Sequence, residues 1–245
     1  MSYDPNSRWA PYGSGTRAPW QAGATVDAAL RAYMARVYNY MAAGLAVTGI
    51  VAYAAANSGF YAAIVGTPLI WLVMLAPLGF VLALSFGIHR MSAATASLLF
   101  WLYAAVMGLS LAGIFLVFTG TSIARVFFIT AGTFAATSFF GYTTGTDLSR
   151  AGSFLMMGLI GIVIASLVNI FIGSSALQFA ISVIGVIVFT GLTAWDTQRI
   201  KEMYVENFGT ETIGKMAIMG ALTLYLDFIN LFMLLLQLFG QRRDE

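Results

Sequence analysis

The 245-residue chain has no cysteine, one histidine and few charges, and each shortage excludes a class of chemistry. Without cysteine there is no disulfide framework, no zinc knuckle and no thiol nucleophile. His89 alone cannot anchor a multi-histidine metal site, and it has no serine motif near it to build a hydrolytic triad. Charged residues make up 9% of the chain and the formal net charge is +2, too little for a nucleic-acid surface. What fills the space instead is apolar: 60% of residues are hydrophobic and the mean hydropathy is +0.85. These values belong to an integral membrane protein rather than to a soluble domain.

Residues 1–25 are the exception. They are rich in Pro, Gly, Ser and Arg and lack an apolar h-region, so they read as a disordered tail and not as a signal peptide. From Thr25, a plausible N-cap, Val26, Leu30, Tyr33 and Val37 recur at helical spacing, which suggests a short amphipathic helix lying on the membrane surface before the first span. A spanning helix needs about 20 mainly apolar residues. Seven segments qualify: Val37–Ala56, Leu69–Ile88, Ala93–Phe118, Val126–Thr144, Ala151–Ile172, Ser175–Trp195 and Met216–Gln241. The uncharged run Ala151–Trp195 is about twice one span and is split at Gly173-Ser174-Ser175. The expected fold is therefore an all-α, seven-helix transmembrane domain over residues 26–241, followed by a short tail at 242–245. Gly141 with Gly145, and Gly108 with Ala112, have the small-xxx-small spacing that lets helix backbones approach closely.

Nine of the twelve Lys and Arg residues fall on the side of the amino-terminal tail, among them Arg31, Arg36, Arg90, Arg150, Arg199, Lys201 and Lys215. Arg125, Arg242 and Arg243 fall on the other. This asymmetry predicts a cytoplasmic N-terminus. Seven spans then send the two C-terminal arginines outward, unless the last segment is re-entrant and brings them back.

Two stretches carry the chemistry. In FTGLTAWDTQRIKEMY (Phe189–Tyr204) an uncharged span runs into Asp196, with Thr193 and Arg199 three residues to either side. In ALTLYLDFINLFMLLLQLF (Ala221–Phe239) Asp227 is the only charge, and Thr223, Asn230 and Gln237 extend it into a polar stripe at helical spacing. A carboxylate inside an apolar run loses its hydration, so it is expensive to keep and marks a functional site by default. The stripe has to face the bundle interior or a watery cavity, which places the last span near the centre. Two carboxylates brought together in a dry site cannot both ionise cheaply, so such a pair shares a proton.

These two motifs, in this order, resemble the paired signatures of the Bax inhibitor family (transmembrane Bax inhibitor motif proteins), and more closely its bacterial branch. LSFGIHRMSAATA and FFGYTTGTDLSRAGSFLMMGLIGIVIASLVNIF resemble intervening segments, so the likeness runs from Ala28 to Gly240. The chain departs from the usual bacterial pattern at Gly145-Thr146, where a lysine is common before the residue corresponding to Asp147. The resemblance implies a bundle whose last helix is surrounded by the other six, in a bacterial inner membrane. It also implies a di-aspartyl pH sensor, Asp196 with Asp227, governing a Ca²⁺ leak, with Arg90 as basic partner and no cofactor. Thr193, Thr223 and Asn230 would support the pair, whose freed carboxylate oxygens suit Ca²⁺. Other readings are a regulator of a membrane-bound ATP-dependent (AAA) protease that grips the amino-terminal tail, and a proton-coupled transporter. An intramembrane aspartyl protease would need a GxGD context, whereas the acids here stand in AWDT and YLDF, so no enzymatic activity is expected.

Overall fold

The structure, a computed structural model, describes residues 19–204 and 209–243. Seven helices among them are long and apolar enough to cross a membrane. In chain order the helices are α1 (Pro19–Asn57), α2 (Phe60–Ile64), α3 (Leu69–Gly87), α4 (Ala93–Leu111), α5 (Ile114–Val117), α6 (Gly120–Thr143), α7 (Ser149–Ile172), α8 (Ser175–Glu202) and α9 (Thr210–Phe239). A 3₁₀ turn, Ile88–Arg90, ends α3. The boundaries follow local chemistry. The side chains of Ser92, Thr119 and Ser174 accept from backbone N–H groups three residues on, capping α4, α6 and α8. The uncharged run divides at Gly173, which adopts φ 68°, a left-handed conformation that suits glycine at a helix C-terminus. Pro77 lies inside α3, which continues through it.

Two expectations change. The amphipathic segment from Thr25 is not a separate surface helix but part of one continuous α1. Its apolar residues serve the core: Tyr33, Met34 and Val37 are buried, and the Tyr33 ring packs 5.2 Å from that of Tyr204. Helical spacing shows which face is apolar but not whether that face meets lipid headgroups or other helices. Helical backbone also begins at Pro19, inside the expected tail; residues 1–18 of that tail lie outside the described residues.

The last helix is the core of the bundle. α9 packs directly against α1, α4, α6 and α8, and its residues from Ala217 to Leu236 are mostly buried. α3 buries only Pro77 and Leu84 and leans on α4, while α7 buries only Gly152 and Asn169 and leans on α8. The centre is thus enclosed by four helices, with α3 and α7 as an outer layer. Burying α9 removes Leu222, Leu224, Leu231 and Leu236 from lipid contact. Since lipid is as apolar as leucine, the gain comes from close packing rather than from water release. Close packing needs small residues at the crossings. A Cβ on Gly141 would collide with the Ala194 carbonyl of α8, and one on Gly108 would come within 2.6 Å of the Thr48 carbonyl of α1.

α9 runs unbroken for 30 residues, so it crosses rather than re-entering. Its end is strapped to the start of α6 by an antiparallel bridge between Phe118 and Arg242. The Thr119 amide donates to the Gln241 carbonyl (3.0 Å), the Arg243 amide to the Val117 carbonyl (3.0 Å), and the Gln241 amide to the Ser122 hydroxyl (2.8 Å). Arg242 and Arg243 therefore sit at the end of the bundle opposite Arg90, Lys201 and Lys215.

Candidate functional site

The stretch Thr193–Lys201 of α8 is a junction, with successive side chains engaging different elements. Ala194 presents its carbonyl to Gly141 of α6, and the Trp195 indole lies against Gly152 of α7. The Asp196 side chain meets Asp227 of α9 within hydrogen-bonding reach. Thr197 donates to the Thr193 carbonyl (2.7 Å), so its one hydroxyl proton is committed. Ser138 of α6 must then donate to Thr197 (2.8 Å), and Tyr38 of α1 to Ser138 (2.7 Å). This gives a directed chain of hydroxyls from α1 through α6 to the helix that carries Asp196. Gln198 clamps the α6–α7 loop with both ends of its amide, donating to the Thr146 carbonyl (2.8 Å) and accepting from the Leu148 amide (2.9 Å). Lys201 donates to the Tyr142 carbonyl (2.8 Å) and so satisfies the C-terminus of α6.

The two acids are nearly sealed, Asp196 being 7% and Asp227 5% exposed. The Asp227 Oδ2 atom is buried without a hydrogen-bond partner among the described residues. A hydrogen bond between two carboxyl groups requires one proton between them, because two carboxylates have only acceptors to offer. Asp227 also lines a cavity of about 560 Å³ between α7 and α9, together with Thr223, Asn230, Gln237 and Ser166. The polar stripe of α9 therefore faces a cleft, with Asp227 as the wall between that cleft and Asp196. At the far end the cleft is closed by amides: Gln178 donates to the Gln237 Oε1 (2.6 Å), Ser182 donates to the same oxygen (3.0 Å), and Asn169 donates to Gln178 (3.1 Å).

The supporting residues divide. Thr223 and Asn230 line the cleft while each also donates to its own helix, at the Met219 and Leu226 carbonyls. Thr193 is fully buried and bonds the Phe189 carbonyl (2.8 Å). Arg90 is not brought to the acids: it is exposed on the 3₁₀ turn after α3 and forms no ion pair with either. The cation whose field reaches Asp196 is Arg199, whose guanidinium sits 5.4 Å from the Trp195 ring centre. Among the described residues no three His, Cys, Asp or Glu side chains cluster as a metal site. The four oxygens of two carboxylates fall short of the six to eight that a resident Ca²⁺ takes.

Asp147, in the α6–α7 loop, accepts from the Ser149 amide (2.8 Å), and the Ser149 hydroxyl together with that amide holds its carboxyl below the usual aspartate range. These bonds tie it to the first residue of α7. Gln198 and Ser138 are the residues that sequence reasoning missed. Neither carries a charge, and nothing in their local spacing distinguishes them from ordinary helix polar groups.

The model of the family "Inhibitor of apoptosis-promoting Bax1" matches residues 30–244. The "Inner membrane protein YbhL" of Escherichia coli K12 is 50% identical over 220 residues, which cover 88% of this chain and 94% of that protein. A Rickettsia prowazekii protein, RP147, is 51% identical over 221 residues, 90% of this chain and 94% of its own length. A membrane protein of Streptococcus pyogenes is 34% identical over 218 residues, 88% of this chain and 95% of its own. With a family model spanning nearly the whole bundle and relatives at half identity end to end, this chain belongs to the Bax inhibitor family.

Proposed function

We propose that the protein is a pH-gated cation leak of a bacterial inner membrane, with Ca²⁺ as its cargo and its basic end in the cytoplasm. The observation that carries the reading is the meeting of Asp196 and Asp227 at the wall of a polar-striped cleft. A pair holding one proton is joined by a hydrogen bond and keeps α8 seated on α9. Loss of that proton leaves two like charges in contact in a dry site, and their repulsion favours parting of the two helices. The same event frees carboxylate oxygens towards the cleft, where Thr223, Asn230 and water complete a hard-cation shell for an ion in passage. With only two carboxylates the site binds weakly, as a leak requires, since an ion held tightly does not leave. The localisation rests on the name of the E. coli relative and on the excess of Lys and Arg at one end of the bundle.

The test is Ca²⁺ flux in proteoliposomes across a pH series. Wild type should conduct more as pH rises, whereas Asp196→Asn and Asp227→Asn should each lose that dependence. Unchanged flux and unchanged pH response in both variants would sink the proposal.

A further inference from the structure

A cavity larger than the one behind Asp227 lies elsewhere in the bundle. It is a groove of about 970 Å³ on the opposite flank, between α1 and α6, floored by Phe134 and Phe228. α1 and α6 each rest chiefly on α9 and meet one another through the Tyr38–Ser138 hydrogen bond. The groove is lined by small side chains, including Ala42, Gly49 and Ala135, and its polar groups gather towards one end: Tyr38, Ser138 and, last, Arg31. A space between spanning helices that is lined almost wholly by carbon stays dry. In a bilayer it is filled either by a lipid tail or by another helix.

Length and the charge at the rim favour the lipid tail. From Arg31 to Ile50 the groove follows α1 for 19 residues, about 28 Å at roughly 1.5 Å per residue. That length accommodates an extended hydrocarbon chain. The rim supplies the complement to a headgroup. The exposed Arg31 forms no ion pair among the described residues, and Lys201 stands over the Tyr142 ring at the end of α6. A guanidinium without a carboxylate partner at the mouth of an apolar slot is suited to a lipid phosphate.

We propose that the Arg31 end of the α1–α6 groove binds an anionic phospholipid of the adjoining leaflet, with one acyl chain in the groove and its phosphate on Arg31. The tail reaches about as far as Ala42, 11 residues or roughly 16 Å along α1, which is one leaflet's depth. There it packs on the face of α6 that bears Ser138, and so supports the hydroxyl chain Tyr38–Ser138–Thr197 from the side facing lipid.

The absence of native cysteine makes the test direct. Ala135→Cys, labelled with bimane in phosphatidylcholine vesicles, reports the groove, and Phe171→Cys reports an exposed lipid-facing site on α7. Brominated phosphatidylglycerol should quench the groove label about fivefold more effectively than brominated phosphatidylcholine at equal mole fraction, with no preference at position 171. Arg31→Gln should remove the preference, and Ala42→Phe, which fills the groove from an exposed position, should reduce quenching by both lipids. Equal quenching by the two lipids at both sites would overturn the proposal. So would quenching at position 135 that falls as protein concentration in the membrane rises, which would assign the groove to a second copy of the chain. Lipid quenching depends on neither Ca²⁺ flux nor the acid pair, so the outcome is independent of the proposed function.

Discussion

Asp227 faces Asp196 on one side and a cleft of about 560 Å³ on the other, with one carboxyl oxygen unpartnered between them. A buried acid in that position weakens the bundle, because its desolvation is only partly offset by its partner. Asp227→Leu should therefore stabilise the protein, by about 1–3 kcal/mol, the cost of one unsatisfied buried group. The expected reading is a higher melting temperature in detergent together with loss of the pH response of flux. A Leu variant that melts lower than wild type would show that the hydrogen bond shared with Asp196 outweighs the desolvation cost of Asp227.

Gly141 and Gly145 look alike in the sequence and differ in space. A Cβ at Gly141 meets the Ala194 carbonyl, whereas one at Gly145 meets nothing within 4 Å. Gly141→Ala should push α6 from α8 and cost about 1–3 kcal/mol, the usual range for overpacking, while Gly145→Ala should be close to neutral. Thermal melts of the two single variants provide the comparison. Equal losses would show that the α6–α8 crossing is looser than described.

Gln198 should matter out of proportion to its neutral side chain. Its amide is the bracket that fixes the α6–α7 loop to α8, two residues beyond Asp196. Gln198→Leu leaves the Leu148 amide and the Thr146 carbonyl without that partner. Amide hydrogen exchange over residues 145–149 should quicken by about 10-fold, equivalent to the roughly 1.4 kcal/mol of one well-made bond. Unchanged exchange there would mean that the loop holds itself.

Asp147 separates local acid chemistry from gating. Its carboxyl is held below the usual aspartate range by Ser149, so its folded pKa is depressed relative to the unfolded chain. Such a group stabilises above the unfolded value and loses that contribution as pH falls through the folded one. Any fraying of the first turn of α7 therefore belongs to strongly acidic solution. Asp147→Asn should leave the pH profile of Ca²⁺ flux between pH 5 and 8 where it is in wild type. A shifted midpoint would assign Asp147 to the sensor.

Hydropathy revealed the seven spans because a 20-residue apolar run has few soluble alternatives. The two acids stood out for the same reason, as charges where charge is costly. What was hidden depended on lateral arrangement, which a linear pattern does not encode. Arg90 lies at the right end of the bundle but on an outer helix. Thr25–Val37 has the spacing of a surface helix and is a stretch of the long α1, whose apolar face there is buried in the bundle. The apolar gap between α1 and α6 has no signature at all, because its alanines and glycines read equally well as a tight helix crossing.

The central position of α9 also sets an order of assembly. It leaves the ribosome after the six other spans, yet α1, α4, α6 and α8 all depend on it for their inner contacts. The six earlier spans must therefore enter the membrane and wait as a loose set, their facing surfaces covered by lipid, until residues 210–239 arrive and displace it. The strap at Phe118–Arg242 closes only after that step. A stop codon before residue 210 would thus leave six spans that insert but never consolidate, an easy target for membrane quality control.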